Sequence, residues 1–251
     1  ANVGPGLPRI QIVGLADTAI SESRDRMKTA VSNSQLHWPK TKVVVSLSPA
    51  SMPKAGSHFD VAMCLAILTA SPTDPLVRQR LSETVLLGEV GLDGSLRPVA
   101  GVLPVLMAAR RAGLRRVIVP QGNAAEAALI DVPVDQKLGT PRMSVLAARS
   151  LAQIMGWVND LVELPSAVSV AEALGTGSSE SAAVPVMADV CGQPEARCAA
   201  EVAAAGGHHM MLVGPPWTGQ SMIEARFPSI LPPIDAGHCV LATAVNSDAG
   251  G

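Results

Sequence analysis

Hydrophobic and polar positions along the chain predict a string of alternating strands and helices. Residues 9–13 (RIQIV) read as a strand, and a helix follows whose start is marked by Asp17 or Thr18, side chains able to accept a free first-turn amide. Within that helix Ile20, Met27, Ala30 and Val31 fall on one face, opposite Glu22, Arg24, Asp25 and Lys28. The run KVVVSL at 42–47 shows little alternation, which predicts a strand covered on both faces. A helix from Val61 to Ala70 is the longest apolar helical run, with Asp60 as its expected cap. The stretch from Leu86 to Pro120 organises the rest. It predicts a short apolar strand, a turn at Asp93-Gly94 and a second strand to Val99, then a helix over about Leu103 to Ala112 and a strand from Arg116 to Val119. Asp-Gly between apolar runs signals a hairpin in which both central residues take positive φ. Gly113 just beyond the helix, and Arg110 and Arg111 in its last turn, supply a left-handed cap and a favourable dipole contact. Farther on, Asn123 to Ile130 reads as a short helix with Asn123 as N-cap. Pro141 to Ser144 reads as a last strand and Val145 to Met155 as a closing helix.

A change of texture then marks a boundary. Residues 163–186 are rich in Ala, Ser and Gly without an apolar period, the habit of a linker, so we expect a domain at 1–160, a linker at 161–186 and a second module at 187–251. In that module Pro194 opens an Ala-rich helix to Ala205, Gly206-Gly207 stops it, and His209 to Val213 (HMMLV) reads as a strand. One strand and two helices cannot bury a parallel sheet that needs cover on both faces, so this part is expected to pack poorly unless a partner covers it.

Composition narrows the function classes. Hydrophobic residues make up 48% of the 251 positions, enough for a buried core, but aromatics are 2% with no Tyr, which argues against an aromatic-stacking nucleic-acid binder. The net charge of −2 is unevenly placed: 17 Lys plus Arg face 12 Asp plus Glu in residues 1–160, and 2 face 9 in residues 161–251. No apolar run approaches about 18 residues, which predicts a cytoplasmic protein with no membrane partner. Cys64, Cys191, Cys198 and Cys239 lack CxxC spacing and are expected to be buried thiols. Arg24, Arg26 and Lys28 could form a phosphate patch, but the interleaved Glu and Asp favour an ordinary solvated helix face.

The chemistry-bearing stretch is Gly214-Pro215-Pro216-Trp217-Thr218-Gly219-Gln220-Ser221. A phosphate loop, GxxxxGK[ST], uses backbone amides to cradle phosphates, a lysine to reach the β- and γ-phosphates, and a hydroxyl to hold Mg²⁺. Here Ser221 stands at the Mg²⁺ position, but Gln220 replaces the lysine. Losing that charge-assisted contact costs about 1.5–3 kcal/mol.

The same stretches carry a family resemblance. GEVGLDGSLRPVAGVLPVLMAARRAGLRRVIVP at 88–120, SPASMPKAGSHFDVAMCLAIL at 48–68 and the opening block at 6–34 resemble the N-terminal Lon-protease-type domain of the ComM (YifB, magnesium-chelatase-like) AAA+ proteins. Residues 190–221 resemble the start of that group's ATPase module. The resemblance implies an α/β fold with a Lon-protease-type (ribosomal-protein domain-2-like) mixed sheet and helices, followed by a partial P-loop NTPase segment. It implies ATP and Mg²⁺ as cofactors, DNA as partner and self-association into a hexameric ring that moves along branched DNA during recombination in natural transformation. Trp217 stands where the family has glycine; forcing a bulky residue there adds about 1–3 kcal/mol, and the two losses together amount to about two to four decades of ATP affinity. The chain ends about 30 residues after the loop, before any Walker B acidic pair, while relatives are about twice as long, so a shortened product without ATP turnover of its own is expected. Lon-type peptidases pair a serine with a lysine; alignment puts His58 at the serine position and Leu103 at the lysine position, and Ser57 lies one residue off, so no proteolysis is expected. His58 with Asp60 falls short of a metal-ligand pattern. In the related recombination protein RadA a domain of this type contacts DNA, which makes Arg110, Arg111, Arg115 and Arg116 the candidate phosphate contacts. The alternatives are a non-enzymatic DNA-contact or assembly module and an inactive remnant.

Overall fold

The computed structural model describes residues 1–14, 17–54, 56–70, 75–131, 143–174, 185–215, 218–234 and 236–248. The chain forms two compact units, 1–177 together with the segment from Cys239, and 178–238.

The first unit opens with β1 (Asn2–Gly4) and β2 (Arg9–Val13), followed by α1 (Thr18–Asn33) and β3 (Lys42–Ser46). β3 lies between the other two strands, antiparallel to β1 and parallel to β2. A parallel pair needs a crossover, and α1 supplies it. The helix starts where its sequence predicts: the Asp17 carboxylate accepts the Ile20 amide at 2.9 Å. Ile20, Met27, Ala30 and Val31 are all fully buried. The expectation that both faces of 42–47 are covered is corrected, because Val43 and Val45 are buried while Lys42 and Ser46 are exposed. Those two valines join Ile20, Met27 and the next helix in one core, and the strand is covered from that side.

Next come α2 (Asp60–Leu68), α3 (Pro75–Ser82), β4 (Thr84–Leu86), and the hairpin β5 (Glu89–Val90) and β6 (Leu96–Arg97). The hairpin is antiparallel as expected, but its turn is of another type. The Gly94 amide donates to the Gly91 carbonyl at 2.9 Å, and the Gly91 amide to the Ser95 carbonyl at 2.8 Å. Gly94 has φ +82° and Asp93 is not among the residues with positive φ, so this is a type I turn closed by a glycine bulge. Asp93 instead accepts from the Ser95 amide at 3.0 Å and hydroxyl at 2.6 Å, a local bond that suits an αR residue equally well.

Beyond the hairpin, α4 (Val102–Arg111) leads to β7 (Arg116–Pro120), α5 (Ala124–Ala128), β8 (Ser144–Ala148), α6 (Leu151–Val158) and α7 (Ala167–Ala173). The Leu114 amide donates to Ala109 and the Gly113 amide to Arg110, the paired bonds of a glycine-terminated helix end. β4, β7 and β8 form a parallel sheet with β7 in the middle. Two sequence expectations change here. Residues 145–148 belong to a strand, because β7 offers a full ladder from Arg116↔Ser144 to Pro120↔Ala148, and the helix begins only after Ser150 accepts the Gln153 amide at 3.2 Å. Of the expected strand at 141–144, residues 141 and 142 lie outside the described residues. The sequence boundary at 160 also moves: Leu164, Ala167 and Val170 are buried, and the Ala147 amide donates to the Pro165 carbonyl at 2.9 Å. The first unit thus continues beyond residue 160, and small residues at Ala167–Ala173 that look like linker pack as a helix.

The second unit holds α8 (Pro194–Gly206) and α9 (Gln220–Arg226) around a small core of Met187, Val190, Ala200 and Ile223. Pro194 occupies the first turn of α8 as expected, and Gly207 ends it. The expected strand at His209 to Val213 is corrected. Among the described residues none from 185 onward is in a strand, although Met211 and Val213 are 83% and 81% exposed while Met210 and Leu212 pack inward. The period of two is present, but no neighbouring strand completes a ladder. α10 (Ala236–Asp248) closes the chain, and its part from Cys239 belongs to the first unit, where Val240 and Ala244 are buried. No helix among the described residues is long and apolar enough to cross a membrane.

Candidate functional site

The stretch from Gly214 to Gly219 lies between segment 208–213 and α9, whose first two residues are Gln220 and Ser221. Gly219, with φ +83°, is the residue before the helix, and Gln220 is its first residue. The Thr218 hydroxyl donates to the Pro215 carbonyl at 2.8 Å, and the Gln193 side-chain amide donates to the Thr218 carbonyl. A Cβ on Gly214 would lie 3.0 Å from Gln220 Nε2 and 3.1 Å from Thr218 Oγ1, so both side chains lie close to this glycine. Ser221 is exposed, and Pro216 and Trp217 lie outside the described residues. The residues present do not fit a triphosphate with Mg²⁺ well. The position that normally carries a cation holds a neutral amide, and that amide lies beside the glycine that would approach the phosphates.

The two peptidase-like positions engage different neighbours. Leu103 is fully buried in the second core cluster, and its amide donates to Glu126 Oε1 at 3.0 Å. Ser57 donates to Glu89, which lies 3.9 Å from Arg97. Among the described residues the hydroxyl's recorded partner is this carboxylate and not a lysine base. His58 stacks obliquely on Phe59 at 4.6 Å between ring centres. Asp60 does not cap α2 with its side chain: it is fully buried and accepts from Arg26 Nη2 at 2.7 Å and Nε at 3.0 Å. Tertiary pairing outcompeted the local cap because the carboxylate lies inside the core, where a cationic partner matters most. Asn123 likewise gives no side-chain cap; its amide clasps both backbone groups of Val99 at 3.0 and 2.9 Å.

The four candidate arginines engage different neighbours. Arg110 reaches the Ile130 carbonyl at 3.5 Å, and the Arg116 guanidinium lies 5.3 Å from the Trp157 ring centre. Arg80 covers the same ring at 5.3 Å and pairs with Asp160 at 2.6 Å. Arg111 and Arg115 are exposed. Of the cysteines only Cys64 is buried, and burial pushes its thiol pKa well up; Cys191, Cys198 and Cys239 are exposed, against expectation. For Cys191 and Cys198 the reason is the thin second unit, whose small core leaves much of its surface open. Among the described residues no group of three His, Cys, Asp or Glu is placed to hold a metal ion.

Residues 1–123 match the family described as "Subunit ChlI of Mg-chelatase", and residues 186–250 match "Magnesium chelatase, subunit ChlI". YifB of Salmonella typhimurium is 33% identical over 248 residues, 98% of this chain and 45% of YifB. The competence protein ComM of Haemophilus influenzae is 31% identical over 242 residues, 96% of this chain and 45% of ComM. The chain belongs to the ComM/YifB family of magnesium-chelatase-like proteins. An uncharacterized protein of Mycobacterium tuberculosis is 42% identical over 250 residues, covering 100% of this chain and 46% of that relative. The chain thus spans about half the length of the curated family members it matches. A more distant likeness links 55% of this chain to the Lon protease of Paraburkholderia phytofirmans, 30% identical over 144 residues, 17% of that protease. The α/β fold with a parallel sheet agrees with that likeness.

Sequence reasoning missed three side chains that organise this region: Glu89 under Ser57, Arg26 against Asp60, and Glu126 beside the start of α4. Arg26 was visible as a charge on the first helix and Glu126 as an acid in a short predicted helix, but the pairings of Ser57 with Glu89 and of Asp60 with Arg26 span 32 and 34 residues and leave no local signal.

Proposed function

We propose that this chain provides the Lon-type scaffold and the nucleotide loop of a ComM-like, magnesium-chelatase-type AAA+ protein that acts on DNA in the cytoplasm. The scaffold is non-proteolytic. In the intact assembly, a ring that we take to be hexameric, ATP-driven movement along branched DNA serves recombination. This chain by itself binds ATP weakly and does not turn it over. The observation that carries this reading is Gln220 at the head of α9, directly after the left-handed Gly219, where a phosphate loop presents its lysine.

Calorimetric titration with Mg-ATP tests it. The wild-type constant is expected to be millimolar or weaker, and Trp217→Gly combined with Gln220→Lys is expected to tighten it by about two to four decades. A micromolar constant for the wild type, or a variant no tighter than its parent, overturns the reading. A second reading, a non-enzymatic DNA-contact module, is favoured by the exposure of Arg111 and Arg115 around the end of α4. It requires DNA retention that weakens with salt and with replacement of those two residues, since phosphate contacts release counterions.

A further inference from the structure

Far from both the loop and the end of α4 in sequence, the fold assembles a groove of 410 Å³ between α1, the start of β2 and the connection from α1 to β3. Four cations line it: Arg24 and Lys28, one turn apart on α1, Arg9 at the first position of β2, and Lys40 before β3. Trp38 lines the same groove and is anchored against the first core cluster. Asp25 is the one acid among the lining residues. It lies 3.4 Å from Arg24 and is 83% exposed, so it offsets one charge at most. Arg9, Lys28 and Lys40 are exposed and enter none of the ion pairs among the described residues. The α1 charges taken alone look like a mixed, solvated helix face. Only the arrival of Arg9, Lys40 and Trp38 from other elements turns that face into a concave basic surface with an aromatic wall.

We propose that this groove binds single-stranded nucleic acid, the cations taking backbone phosphates and Trp38 taking the face of an unpaired base. Cationic grooves combined with aromatic rings seat single strands because every base has a face to stack, whereas in a duplex those faces are covered. The 2% aromatic content argues against a platform of several stacked bases, whereas this groove asks for one ring, and one anchored ring beside cations is enough to seat a base. The inference deepens the DNA-contact reading at a different surface, so the two can fail separately.

The test is fluorescence anisotropy of the full chain with a labelled oligothymidylate of about 12 nucleotides, within the span one such groove accommodates. Wild-type binding is expected to weaken with salt at a log–log slope of about −2, from three unopposed cations at about 0.7 each. Arg24→Glu with Lys28→Glu is expected to lower affinity by about tenfold or more, through loss and reversal of phosphate contacts. Trp38→Leu is expected to lower it by about tenfold through lost stacking. Because Trp38 also packs on the core, Arg9→Glu with Lys40→Glu gives an independent arm with no buried side chain involved, and a loss similar to the α1 pair is expected. Unaltered binding in both charge variants overturns the inference. So does duplex DNA bound as tightly as the single strand with Trp38→Leu indifferent, which would make the groove a general polyanion surface. If Arg111→Ala with Arg115→Ala abolishes binding while the groove variants retain it, the groove is excluded and the contact at α4 stands; the reverse result supports the groove and removes α4.

Discussion

Asp60 has both of its Arg26 bonds on Oδ2, accepts the Val90 amide there at 3.4 Å, and leaves Oδ1 without a partner among the described residues. Burial pushes its carboxyl above the ordinary value of 3.8; hydrogen bonds and charge from Arg26 pull it back, and burial wins. The sign of the pH effect follows from proton counts. Between 3.8 and the raised folded value, the folded chain still holds a proton that the unfolded chain has released, so this group's contribution to stability falls as pH rises through that interval. Asp60→Asn removes the titration. Denaturant unfolding of both proteins, from just below the unfolded value upward, should show the stability of wild type minus variant declining as pH rises. A difference that grows with pH would contradict the assignment. Arg26 was legible only as one charge on an amphipathic helix, because its partner lies 34 residues away.

Among elements, the joint between β4 and β5 ties the loop at 56–60 to the parallel sheet. The Gly88 amide donates to the His58 carbonyl at 3.2 Å, and the Gly88 carbonyl accepts the Val61 amide at 3.3 Å, so one residue holds both the loop and the start of α2. Its φ is +137°, and a Cβ there would come within 2.9 Å of Pro120 Cγ and 3.1 Å of Val61 Cγ2. Gly88→Ala should therefore cost about 1–3 kcal/mol, from backbone strain together with the displaced neighbours. Equilibrium denaturation measures it, and a change under about 0.5 kcal/mol would place the substitution among neutral surface changes and contradict the packing. The hairpin that follows was plain in Asp93-Gly94, whereas its turn type was not. The choice between two left-handed residues and one depends on whether Gly94 closes a bulge, and that bulge packs against Ser34, which a Cβ on Gly94 would meet at 2.0 Å.

At the scale of the whole molecule, the two units differ in how much they bury. The first contains two extended clusters of aliphatic side chains, while the second rests on Met187, Val190, Ala200 and Ile223 with a fringe of half-buried neighbours. Segments with few buried apolar contacts open at the low end of the free-energy scale. Limited digestion with a protease of broad specificity should cut first within 178–238 and leave residues 1–177 resistant, as followed by mass spectrometry of the fragments. Early loss of the first unit would contradict this ordering. The exposed Met211 and Val213 fit the same picture, an apolar alternation with no strand beside it among the described residues.

What the sequence by itself determined is whatever near neighbours complete: α1 with its Asp17 cap and its buried face, the glycine end of α4, the proline start of α8, and the neutral Gln220 where a phosphate loop carries charge. Caps and helical periods are satisfied within a few residues, so composition and spacing suffice to read them. Tertiary structure alone decided that 144–148 is a strand while 209–213 finds no ladder among the described residues, that Asp60 belongs to Arg26, and that Arg9, Trp38 and Lys40 line one groove with Arg24 and Lys28. Ladders, buried ion pairs and grooves are built from groups far apart along the chain, and their energy exists only once folding has closed the loops between them.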